Sequence, residues 1–60
     1  MSEQDIKCFV GKKVTVKSVK LDKSVMGTLE TVVAGVAIVQ GDTCWGIGVQ
    51  HITEINEAML

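Results

Sequence analysis

Phe9-Val10-Gly11-Lys12-Lys13-Val14-Thr15-Val16-Lys17-Ser18 decides the fold, because the spacing of apolar residues changes within it. Up to Val10 the apolar positions are Ile6, Phe9 and Val10. That i, i+3, i+4 spacing puts three side chains on one helix face. Beyond Gly11 they are Val14 and Val16, separated by Lys13, Thr15 and Lys17. Strict alternation of this kind is the mark of a strand with one buried face. Gly11 stands at the change, where glycine is the usual helix stop.

Reading backwards from Gly11, Ser2 is a good N-cap and Asp5 follows at capping-box spacing. Glu3 and Asp5 suit the positive end of a helix dipole. The pattern predicts one short helix over about 3–10.

Reading forwards, Val19 and Leu21 resume the apolar series one residue out of phase. A bulge near Lys17-Ser18 would restore the register. The first strand then presents Lys13, Lys17 and Lys20 on one side. Asp22-Lys23-Ser24 reads as a turn, and Val25 to Val33 as the second strand. In it Leu29, Thr31 and Val33 share one face, Thr28 and Glu30 the other. Gly27 marks a kink or a close backbone approach. Ala34-Gly35 is a tight turn. Val36-Ala37-Ile38-Val39 is apolar on both faces, so Val36 and Ile38 belong to a central strand or a subunit interface. After Gly41-Asp42-Thr43, the segment Cys44 to Val49 sets Trp45, Ile47 and Val49 on one face and Gly46 and Gly48 on the other. A short strand over about Ile52 to Ile55 closes the series, with a helical turn expected over 56–60. One helix followed by five short strands with brief turns predicts a mainly β, small, strongly bent antiparallel barrel.

Sixty residues make one domain. A chain this short buries only about 60% of the surface its unfolded form exposes, so extra support is expected. Cys8 and Cys44 are too few for a disulfide framework, lack CxxC spacing and are accompanied by one histidine, which argues against a structural zinc. No metal and no cofactor are expected. Apolar residues make up 47% of the chain, which favours burial of some of them between copies. Homo-oligomerisation is therefore the expected support. The acidic start Ser2-Glu3-Gln4-Asp5 has no apolar leader core. The longest uncharged apolar stretch, Thr31 to Val39, is about half a membrane span. With two free thiols, the expectation is a cytoplasmic protein without a membrane partner.

Charge is segregated. All six basic residues, Lys7, Lys12, Lys13, Lys17, Lys20 and Lys23, lie between positions 7 and 23 with Asp22, a balance of +5. Glu3, Asp5, Glu30, Asp42, Glu54 and Glu57 lie outside that stretch, a balance of −6. Such asymmetry bears on partners and association rather than on fold.

The chain resembles the Sm-like (LSm, Hfq-type) family of small barrels, over nearly its whole length. Phe9-Val10-Gly11-Lys12-Lys13-Val14-Thr15-Val16 is similar to the family's helix followed by a Gly-Lys-x-Val-x-Val strand. Gly27-Thr28-Leu29 is similar to Gly-x-Leu in its second strand, Val36–Val39 to its third, and Ile47–Ile55 to its fourth and fifth. The resemblance implies residues 1–60 as a single SH3-like or Sm-like barrel domain, with helix about 3–10 and barrel about 12–55, assembled as a ring. The family's base-binding Asp and Asn positions correspond to Val33 and Ala37. Its Arg-Gly is replaced by Ile47-Gly48-Val49, and its Hfq-type Lys-His by Gln50-His51. The resemblance thus implies fold and assembly better than uridine-rich RNA binding.

Two functional classes follow. The first is a non-enzymatic, oligomeric, RNA- or nucleic-acid-associated module. Its candidate contacts are Lys12, Lys13, Lys17, Lys20, Lys23 and His51, with phosphate neutralisation making binding salt-dependent. The second is a protein-interaction or self-assembly module with no nucleic-acid partner, in which the lysines only guard a solvated strand face. Trp45, Gly46, Gly48, Val36 and Ile38 are candidates for core or interface. Cys44, His51 and Asp42 have the residue types of nucleophile, base and orienter, but no oxyanion loop accompanies them, and no enzyme is expected.

Overall fold

A computed structural model describes residues 2–58. Along the chain run helix α1 (Glu3–Lys7), strands β1 (Lys13–Ser18), β2 (Val25–Val33), β3 (Val36–Gln40) and β4 (Cys44–Gly48), a 3-10 turn (Val49–His51) and strand β5 (Ile52–Glu57). All strand pairs are antiparallel in one sheet of order β4-β3-β2-β1-β5. The sheet is open: β4 and β5 are its two edges. Five strands and one short helix agree with the sequence reading, whereas pairing between the two edges is not seen.

The helix is shorter than its apolar spacing predicts. The Ser2 hydroxyl caps it by accepting from the Asp5 N–H at 3.2 Å. After Lys7 the chain tightens, with Phe9 and Val10 N–H bonding to Ile6 and Lys7 carbonyls. Gly11, at φ +86°, then turns its N–H to the Leu29 carbonyl (2.7 Å), and the Lys12 carbonyl accepts from Leu29 (3.0 Å). Sheet bonds claim the backbone before a third helical turn can form. Ile6 is fully buried, Phe9 packs on the core edge, and Val10 is exposed.

In β1, Val14, Val16 and Ser18 point inward while Lys13 and Lys17 point out. A register shift does occur at Lys17/Ser18, but the extra residue is on the partner strand: Lys17 faces Glu54, Ser18 faces Ile52, and Thr53 bulges. The Thr53 hydroxyl donates to the Lys17 carbonyl at 3.3 Å. The expected return of Val19 to the core therefore fails. Ser18 keeps the inward position, its hydroxyl accepts from the Lys20 N–H at 3.1 Å, and Val19 is exposed. Leu21 alone folds back against the core.

A second bulge, at Glu30, lies between Leu29↔Val39 and Thr31↔Ile38. It reverses the phase of β2, so Val32 is buried and Val33 exposed, opposite to the expected face for Val33. Each bulge adds local twist and bend. Together they let one sheet curl over its own inner face. That face holds Val14 and Val16 (β1), Val25, Leu29 and Val32 (β2), Ala37 and Val39 (β3), Ile47 (β4), then Val49, Ile52 and Ile55, with Ile6 of α1 joining the same cluster. β5 runs on to Glu57, where a helical turn was expected, and the Ala58 N–H bonds the Lys13 carbonyl at 2.8 Å. The rest of that expected turn, Met59 and Leu60, lies outside the described residues.

Candidate functional site: the basic strand and the seam beside Trp45

The lysines do not form one stripe. Lys13 and Lys17 share the outer face of β1, but β1 ends at Ser18 and Lys20 lies in the following loop. Three lysines face carboxylates: Lys7 and Glu3 at 3.2 Å, Lys12 and Glu57 at 3.8 Å, Lys17 and Glu54 at 4.0 Å. All are about half exposed, so each pair contributes little stability. Among the described residues Lys13, Lys20 and Lys23 are in no ion pair. The acids of β5, Glu57 and Glu54, thus face Lys12 just before β1 and Lys17 within it, a proximity that the sequence separation of the two segments had hidden.

Where the curled sheet fails to close there is a cleft of about 260 Å³, lined by Trp45, Gly46, Ile47 and Gly48 of β4, by Ser18, Lys20 and Leu21, and by His51. It brings together residues from both candidate sets: Lys20 and His51 from one, Trp45, Gly46 and Gly48 from the other. Trp45 is paired with Val39 across β3–β4, on the inner side of an edge strand. It is 38% exposed and so is not a core residue of the single chain. A side-chain atom at Gly48 would stand 3.0 Å from Cδ2 of His51, so this glycine leaves room for the imidazole. The His51 carbonyl accepts from the Val19 N–H at 3.0 Å, tying the 3-10 turn to the end of β1.

A neighbouring depression of about 240 Å³ is lined by Lys17, Ser18, Leu21, Asp22, Lys23, Ser24 and Thr53. Ser18, Leu21, Ser24 and Thr53 carried no functional signal in the sequence. They become wall residues only because the bulge and the loop turn the chain there.

Val36 and Ile38 are half-buried on the outer face of β3. A Cβ at Gly46 would meet their side chains only at ordinary contact, 3.6 and 3.7 Å, so nothing within the chain requires glycine there. With exposed Val33 they make an outward apolar patch. Of the two positions that the family resemblance marks for base contact, Ala37 is fully buried and Val33 is exposed.

Cys44 is exposed at the start of β4, whereas the His51 ring rests against Gly48 at its other end. Four residues of strand, roughly 13 Å, separate those ends, so thiol and imidazole do not meet. Among the described residues no group of His, Cys, Asp and Glu could hold a metal ion. No described helix is long and apolar enough to cross a membrane. Compared with protein-family models, curated proteins and solved structures, the chain matches none.

Proposed function

We propose that this chain is a non-enzymatic, self-assembling module of the Sm-like type that associates with single-stranded nucleic acid. The observation that carries the reading is the basic loop after β1, where Lys20 lines the cleft that also holds Trp45 and Lys23 lines the depression beside it, both without carboxylate partners among the described residues; Lys13, also without such a partner, stands at the other end of β1. Unpaired ammonium groups neutralise phosphate at little cost, while an aromatic face supplies stacking. The open edges of β4 and β5 supply the assembly. They are different strands, so β4-to-β5 pairing between copies is head-to-tail, and it gives a ring when the rotation closes.

The test is binding of labelled oligo-RNA and oligo-DNA to the purified protein across a salt series. Binding near 50 mM salt that falls linearly on a log–log plot supports the reading. The variant Lys13→Gln/Lys20→Gln/Lys23→Gln should lower the slope by about 0.7 per lost contact on single strands and weaken all sequences alike. No binding by the parent protein at that salt rejects it.

A second reading, a protein-interaction module, is favoured by the outward patch of Val33, Val36 and Ile38 and by the three lysines already facing carboxylates. It predicts assembly without any nucleic-acid binding.

A further inference from the structure

The seam cleft and the depression beside it are adjacent, with Ser18 and Leu21 in the wall of both, and their linings differ chemically. The cleft is mainly apolar and has the Trp45 indole in its wall. The depression presents Lys17 and Lys23 together with the hydroxyls of Ser24 and Thr53. We infer that the two act as halves of one groove that takes one nucleotide of a single strand, with its base in the Trp45 half and its phosphate in the Lys17–Lys23 half. The inference rests on the nucleic-acid reading above and gives it a site.

Three quantities support it. An apolar cavity of ~150 Å³ is enough to hold benzene, so about 260 Å³ is ample for a base. Trp45 is 38% exposed, which leaves part of its ring free to stack. The phosphate half holds two ammonium groups against one carboxylate, Asp22. Glu54 competes for Lys17, but at 4.0 Å and about half exposed that pair is weak and yields readily to phosphate. Lys20, in the wall of the apolar half, adds a third positive charge.

The chain has one tryptophan and no tyrosine, so its intrinsic fluorescence reports Trp45 alone. Octa-adenylate, as RNA and as DNA, is titrated into the full chain, and emission is followed beside the polarisation of a labelled copy. Quenching that saturates together with polarisation is expected. Trp45→Leu should weaken binding by about tenfold or more while leaving the salt slope unchanged, and Trp45→Phe should retain most affinity. Circular dichroism checks that the variants fold, and the parent titration stands without them. Polarisation that rises with no change in emission, or a folded Trp45→Leu that binds as the parent does, overturns the groove while the nucleic-acid reading survives. Emission that shifts with protein concentration alone and ignores the oligonucleotide places Trp45 in a subunit contact, and also overturns it. Absence of any polarisation change near 50 mM salt rejects both.

Discussion

Two glycines that look alike in the sequence have opposite standing in the structure. A Cβ at Gly27 would lie 2.5 Å from the Gln40 carbonyl oxygen, and one at Gly41 would lie 2.5 Å from that of Met26, because β2 and the end of β3 cross closely there. Gly27→Ala must push two backbones apart. It should destabilise by about 1–3 kcal/mol, the usual range for overpacking. At Gly46 the same methyl meets only ordinary contacts. Gly46→Ala should stay within about 0.5 kcal/mol of the parent. Urea unfolding of the pair checks both, and equal midpoints would refute the crossing. The close approach at Gly27 was legible from glycine inside an aliphatic strand. The freedom at Gly46 was not, because it depends on which neighbours the register supplies. Ser18 gave no signal either: a small polar residue in an apolar alternation reads as a break, yet it holds the inward position and caps its own turn through Lys20.

At the scale of elements, strand existence followed from period two, while phase did not. The extra residues at Thr53 and Glu30 are polar and solvent-facing. Nothing in their type distinguishes a bulged position from a paired one. They decide that Val33 faces out and that Lys20 leaves the face of Lys13 and Lys17, which is why the candidate site was only half legible. The β2–β3 connection was clearer. Val33 pairs with Val36 across Ala34-Gly35, and both turn residues have positive φ, 52° and 75°. An L-residue with a Cβ costs about 1–2 kcal/mol in that region, and Asn tolerates it best in such hairpin turns. Ala34→Asn should therefore raise stability by a few tenths to about 1 kcal/mol. A lower urea midpoint would contradict it. The same turn anchors α1: the Glu3 carboxylate accepts from the Gly35 N–H at 3.0 Å, and the Gly35 carbonyl accepts from the Val49 N–H at 2.8 Å. A five-residue helix has no stability of its own. Glu3→Ala should loosen it by about 1 kcal/mol, read as faster amide exchange over α1, with Glu3→Gln close to the parent.

At the scale of the whole molecule, the accessible surface separates two reasons for assembly. Composition suggested that 60 residues carry more apolar side chain than one copy can bury. The surface is 3921 Å², against roughly 3,800 Å² for an ordinary compact monomer of this mass. One copy thus exposes about as much surface as a compact monomer of its mass, with twelve hydrophobic side chains in a single buried cluster. What remains unsatisfied is the two open sheet edges and the apolar side chains left exposed, Val10, Val19, Met26, Trp45 and Val33, the last beside half-buried Val36 and Ile38. The proposed assembly would then draw on an edge and a patch rather than on completing the core of one copy. A lysine at an edge is a standard barrier to strand addition, and Gly46 has room for a side chain. Gly46→Lys should reduce the sedimenting mass to that of one copy at micromolar concentration while leaving the circular dichroism spectrum and urea midpoint near those of the parent. If the mass falls only together with the midpoint, the neighbour completes the core and the edge argument fails. If the mass is unchanged, copies meet through another surface, and the outward patch becomes the next to alter, by Ile38→Lys.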